Sequence, residues 1–141
     1  MIVVVDASVA IKWFLPELHD DAALRLLRAE HRLVAPDLLF PEVGNVLWKR
    51  VRRREATASE AGAVLDALVA VPLEVHASQP MMPVAFEIAC ATGRTVYDSL
   101  YLALAVLREC PMVTADRKLY QALERGRFAH HLLWVTEVPH A

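Results

Sequence analysis

Five short apolar runs punctuate the chain, at Ile2 to Val5, Arg32 to Ala35, Leu73 to His76, Met112 to Thr114 and Leu132 to Val135, and the segments between them carry helical periodicity. A short β-branched run reads as a strand buried on both faces, and parallel strands need the long crossovers that such helices supply. The alternation predicts an α/β fold, a three-layer α/β/α sandwich with a central parallel sheet. Helices are expected at Asp20 to Glu30, Asp37 to Arg53, Ala58 to Val71, Val84 to Thr92, Tyr97 to Glu109 and Leu119 to Arg125. Thr57 with Glu60 forms a capping box at one helix start, and Ser78 to Pro83, with two prolines, reads as a turn. No repeat, low-complexity tract or linker interrupts the sequence, so one domain over residues 1–141 is expected.

Hydrophobic residues make up 56% of the chain and the mean hydropathy is +0.33, so part of the apolar surface is expected to meet a partner. Asp66, Pro72, Glu74 and Arg108 break the longest apolar stretches, which excludes a membrane span of about 18 residues. Asp6 interrupts the first apolar run, and no basic region precedes it, so a signal peptide is not expected. Cys90 and Cys110 form no CxxC motif and read as buried free thiols of a reducing compartment, which points to the cytoplasm. Fifteen Lys and Arg against seventeen Asp and Glu argue against a broad positive field for coating nucleic acid. They leave room for an enzyme that concentrates acid at a metal site and base around it.

Four acids stand in contexts that a surface charge does not need. Asp6 ends the first strand, and Asp116 follows the Met112 to Thr114 strand in the same manner. Acids at the carboxyl ends of strands face the crevice where open α/β sheets bind ligands. Glu42 shares a polar stripe with Asn45, Lys49 and Arg53, while Phe40, Val43, Leu47 and Val51 face the core. Asp98 opens a helix so apolar afterwards that it must be buried. Each acid also has a local reading: Asp6 and Asp116 can cap helices, Thr95 and Asp98 fit a capping box, and Glu42 can pair with an arginine. Together they are harder to explain that way, because clustered like charges repel unless a cation sits among them. Oxygen ligands without His or Cys point to a hard ion such as Mg²⁺ or Mn²⁺.

The series VVVDASVAIKWF, PEVGNVLWKR, TVYDSLYLALA and MVTADRKL resembles the PIN-domain ribonucleases, and most of all the VapC-type toxins of prokaryotic toxin–antitoxin pairs. The resemblance runs from residue 2 to the last strand near Trp134. It implies that Asp6, Glu42, Asp98 and Asp116 are the four acids that hold a divalent metal, Mg²⁺ with Mn²⁺ as a substitute, and through it a water that attacks an RNA phosphodiester. Ser8 and Thr114 match the family's supporting hydroxyls, and Asn45 matches the polar residue one turn past the glutamate. Some relatives carry a further acid beyond the fourth, whereas Arg117, Lys118 and Leu119 follow Asp116 here, which argues against a tightly held second metal. The resemblance also implies a homodimer and an antitoxin that wraps the toxin and obstructs its site.

Lys12, Lys49, Arg94, Arg117 and Lys118 lie near the acids in sequence and are the candidates for gripping an RNA backbone. The run KRVRRR at Lys49 to Arg54 can meet RNA phosphates, antitoxin acids or solvent at a helix C-terminus. The six histidines form no metal motif, and Trp13, Trp48 and Trp134 read as core or interface rather than as base-stacking groups. Two rival readings stay open. A haloacid-dehalogenase-like phosphatase wants a second Asp two residues after the first, where Ser8 stands, and a catalytically silent PIN-like module that binds RNA or protein would not need four intact acids.

Overall fold

In the computed structural model, which describes residues 1–28 and 30–139, the five runs form one parallel sheet. Its strands are β1 (Ile2–Val5), β2 (Arg32–Pro36), β3 (Leu73–His76), β4 (Met112–Thr114) and β5 (Leu132–Trp134), in the spatial order β3-β2-β1-β4-β5. Val3, Val4 and Val5 are fully buried, as a β-branched run covered on both faces should be. The helices are α1 (Ala7–Ala10), α2 (Asp20–Arg25), α3 (Leu39–Arg52), α4 (Ala58–Ala70), α5 (Met82–Thr92), α6 (Val96–Leu107) and α7 (Arg117–Leu123). The chain steps from β1 outward to β2 and β3, then returns across the sheet to β4 and continues outward to β5. Right-handed crossovers therefore set α1 to α4 on one face and α5 to α7 on the other. The packing agrees: α3 lies against α1 and α4, while α6 lies across β1, β2 and β4 and pairs with α5. The most deeply buried helix is α6, whose residues from Ser99 to Ala105 are all buried.

Two boundaries differ from expectation. The helix from Asp20 stops at Arg25 and gives way to turns that close through Leu26 N–H to Ala23 C=O and Leu27 N–H to Leu24 C=O; Ala29, within the expected span, lies outside the described residues. The turn at Ser78 to Pro83 is a 3₁₀ turn (Gln79–Met81) running directly into α5, with Pro83 in the first helical turn, where its missing N–H costs nothing. α1, followed by a 3₁₀ turn (Ile11–Trp13), is the helix that the capping reading of Asp6 requires, although so short an apolar stretch shows no helical period of its own. Cys110 is buried as expected, but Cys90 is exposed, because α5 turns that side of its last turn outward. Among the described residues no helix is long and apolar enough to cross a membrane.

Candidate active site

The strand order reverses between β1 and β4, and that switch point is where an open α/β sheet leaves a crevice at its carboxyl edge. Asp6 and Asp116 flank it. Because Val5 pairs with Val113, Asp6 falls beside Thr114, whose hydroxyl donates to Asp6 Oδ2 at 2.5 Å. Ser8 Oγ donates to Asp6 Oδ1 at 2.6 Å, and the Val9 N–H bonds the same oxygen at 3.1 Å. Asp6 is thus the cap of α1, as its local reading has it, and a buried acid at once. A carboxylate has about four acceptor positions, and these three donors fill three of them.

The other acids arrive by the same topology. α3 follows β2, and α6 precedes β4, so both helices begin at the carboxyl edge of the sheet, with Glu42 and Asp98 in their first turns. Asp116 caps α7, its Oδ1 accepting the Leu119 N–H at 3.1 Å. Four helix N-termini therefore meet at this edge, and each sets one acid where the helix dipole favours an anion. Thr95 accepts the Asp98 N–H at 3.0 Å as the expected cap, but the Asp98 carboxylate turns to Arg94 instead of completing the box, with Nη2 to Oδ2 at 3.1 Å.

Tyr101, one turn along α6 from Asp98, lies beneath the acids, and its hydroxyl donates to Glu42 Oε1 at 2.5 Å. It is 3% exposed, and the negative charges of Glu42, Asp6 and Asp98, on top of burial, push its pKa far above the usual tyrosine value. Sequence reasoning missed this residue. The signal was there, since Asp98 and Tyr101 are spaced to share a helix face, but an aromatic in an apolar helix reads as core.

Burial dominates the electrostatics of the region. Burial raises the Asp6 pKa from 3.8 to about 6, against the pull of its three hydrogen bonds, and Asp116 adds repulsion. Burial raises Glu42 as well, the Tyr101 bond opposing and Asp98 reinforcing the shift. The acids interact in pairs, Asp6 with Asp116 and Glu42 with Asp98, around the Tyr101 hydroxyl. As the side chains stand, no three His, Cys, Asp or Glu among the described residues are gathered closely enough to ligate one ion. Each carboxylate is drawn to its own protein donor: Tyr101 for Glu42, Arg94 for Asp98, the Leu119 N–H for Asp116.

The supporting and basic residues fare differently. Ser8 and Thr114 both bond Asp6, and Ser8 Oγ also accepts the Ala115 N–H at 2.9 Å, so it ties β4 to α1. Asn45 is exposed on α3, one turn past Glu42. Arg94 is engaged with Asp98. Lys12 is drawn away from the crevice, its ammonium held by the Leu18 carbonyl at 2.6 Å and Glu17 at 3.4 Å. Arg117 stacks over Trp134, 4.4 Å from the ring centroid, while Lys49 and Lys118 are exposed.

The PIN domain family model matches residues 3–124. A curated relative, Ribonuclease VapC3 of Pyrobaculum aerophilum, is 36% identical over 121 residues, covering 84% of this chain and 92% of the relative. Among solved structures, PAE2754 of Pyrobaculum aerophilum superposes with a TM-score of 0.71 at 25% identity, over 94% of this chain and 83% of that one. A toxin–antitoxin complex from Klebsiella pneumoniae superposes with a TM-score of 0.65 at 13% identity, over 96% of this chain and 99% of that one.

Proposed function

The chain belongs to the PIN-domain family, and from that premise we propose that it is a divalent-metal-dependent endoribonuclease and the toxin of a toxin–antitoxin pair. Its relative named Ribonuclease VapC3 supports the activity, and the toxin–antitoxin complex that shares its fold supports the antitoxin partner. The observation that supports the assignment of the site is the arrival of four helix N-termini, each with one acid, at the switch-point edge, with Arg94 the one cation bonded to any of those acids among the described residues. The phosphatase reading has no such support, because Ser8, in the place of its second acid, is committed to Asp6 and Ala115.

The donor set fits a hard cation. Every group is an oxygen and each carboxylate is steadied by a protein donor, which supports oxygen ligation of a hard ion. Asp6, Glu42, Asp98 and Asp116 would hold the ion, preferably Mg²⁺, with Mn²⁺ as a substitute. A divalent ion bound there supplies charge neutralisation of the phosphodiester and a water of lowered pKa. The chain's own residues do the rest. Ser8 and Thr114 fix the Asp6 carboxylate, Tyr101 fixes one oxygen of Glu42, and Asn45 faces outward from the same helix to orient substrate. Arg94, released from Asp98, would be within reach of a phosphate, and Lys118 and Arg117 stand on the first turn of α7 beside Asp116.

Exposed Leu18, Leu24 and Leu27 around α2 offer apolar surface for an amphipathic antitoxin helix. Met82 and Phe86 on α5 do the same for a homodimer. The test is cleavage of RNA by the purified protein with and without metal. Activity with Mg²⁺ or Mn²⁺ that excess EDTA abolishes is expected, and robust cleavage in EDTA would remove the metal reading.

A further inference from the structure

We propose that Trp48 and Arg52 form a platform on which a base of single-stranded RNA stacks beside the active site; this rests on the nuclease reading. Trp48 is 52% exposed, whereas Trp13 and Trp134 are buried at 7% and 8%. Those two have structural tasks: Trp13 Nε1 donates to the Ala23 carbonyl at 2.9 Å, and Trp134 packs edge-on against His19 and Tyr120. Trp48 has neither role. Its ring lies under a guanidinium, Arg52 Cζ being 5.1 Å from the centroid, and with Lys49 and Arg53 it lines an open recess.

The position relative to the carboxylates gives the face its meaning. Glu42 occupies the first turn of α3, and the exposed side of that helix runs on through Asn45, Trp48, Lys49 and Arg52. At 1.5 Å per residue Trp48 lies about 9 Å, and Arg52 about 15 Å, along the axis from Glu42. A strand with its scissile phosphate at the acids would lay its next nucleotides along this side. Cations near a helix C-terminus are favoured by the dipole, which accounts for Lys49, Arg52 and Arg53 as charges. The dipole does not account for an exposed indole held among them. A flat ring with an adjoining guanidinium is what sequence-tolerant binding of single strands uses, stacking supplying the base contact and the cations the backbone contact. Charge complementarity selects RNA over a protein helix. Among the ion pairs of the described residues none engages Lys49, Arg52 or Arg53, and Trp48 is the one large apolar side chain exposed on α3, where a docking helix would need several anchors in register.

Because Trp48 is the exposed tryptophan, its fluorescence reads the contact directly. Titration of the full chain in EDTA with a short oligoadenylate should quench emission saturably, and the same length of RNA duplex should quench little. Trp48→Ala should weaken oligoadenylate binding about tenfold, with Trp48→Phe close to wild type, since stacking needs only a π face. In cleavage assays Trp48→Ala should raise KM with kcat nearly unchanged. Absence of quenching, or wild-type RNA affinity in Trp48→Ala, would overturn the platform even if cleavage is intact. Quenching that Trp48→Ala abolishes, in a protein that cleaves no RNA with Mg²⁺ or Mn²⁺, would uphold the platform and remove the nuclease reading. Quenching by a co-expressed antitoxin alone, with none by RNA, would make this a protein interface and end the proposal.

Discussion

Two carboxylate clusters on one sheet behave in opposite ways. At the carboxyl edge Asp6 and Glu42 are pushed toward the neutral form, with like charges as neighbours. On β3, Glu74 is held ionised, its pKa lowered to about 2 by hydrogen bonds from His76 and Arg108. His76 Nε2 stands 2.8 Å from Glu74 Oε2, Arg108 bonds the same oxygen, and Arg32 reaches Oε1 at 3.2 Å. Both are hydrogen-bonded networks, with four acids at the edge and one, Glu74, on β3. The difference is that the β3 cluster brings its own cations and the edge cluster has only Arg94. A network closed by its own partners is structural, whereas the edge acids, with one cation among them, are where the proposed metal would be held.

The largest effect that can break this comparison is on cleavage. Asp6→Ala and Asp98→Ala should each lower the rate on RNA by at least about 100-fold, the scale of losing a group that positions transition-state charge. Glu42→Ala and Asp116→Ala should lose less, and Glu74→Gln should lose almost nothing. Equal residual activity in all four edge variants, or a comparable loss in Glu74→Gln, would erase the distinction between the clusters.

Next in size is the stability of the metal-free protein. A folded pKa near 6 for Asp6 against 3.8 unfolded means that its protonation favours folding. The contribution is fully present below 3.8 and is lost as pH rises through about 6. In EDTA, wild type should therefore lose on the order of 2–3 kcal/mol between pH 4 and pH 8 relative to Asp6→Asn, which has no such titration. Thermal melts across that range read the difference directly. A wild type that melts above Asp6→Asn at pH 8 would make Asp6 a cap and nothing more.

Metal should reverse that order. At a free concentration of 100 times Kd a bound ion stabilises by about 2.7 kcal/mol, so wild type and Glu74→Gln should both gain Tm with Mg²⁺ or Mn²⁺. Asp6→Asn, having lost a ligand, should gain much less. Equal gains in all three proteins would separate the ion from the edge cluster.

Much of this arrangement could be read from the sequence, because the signals were local. Each strand is a short apolar run, β-branched throughout in β1, and Asp6 and Asp116 stand at strand ends by counting residues. What the sequence left illegible depended on tertiary neighbours. Lys12 lies six residues from Asp6, but Glu17 and the Leu18 carbonyl claim its ammonium. Tyr101 looked like core because only the fold brings Glu42, 59 positions away in sequence, over its hydroxyl. Trp48 reads as core or interface; one residue along a helix turns a side chain by about 100°, so beside buried Leu47 it stands in solvent. The Glu74 cluster escaped notice for the same reason, since Arg32, Glu74 and Arg108 are far apart in the chain and none belongs to a motif.

That cluster supplies the smallest expected effect. Glu74 carries a depressed folded pKa, so its contribution is present above the ordinary value of 4.5 and disappears as pH falls through about 2. This sign is opposite to that of Asp6. The glutamate is open to solvent, so screening cuts the gain to that of a surface network. The Tm difference between wild type and Glu74→Gln should be small at pH 7 and low salt, should shrink on addition of salt, and should vanish as the pH approaches 2. Comparing the two proteins cancels the titration of every other carboxylate. A difference that persists at pH 2 would mean that Glu74 acts through packing, and one that grows with acid would place it with the edge acids.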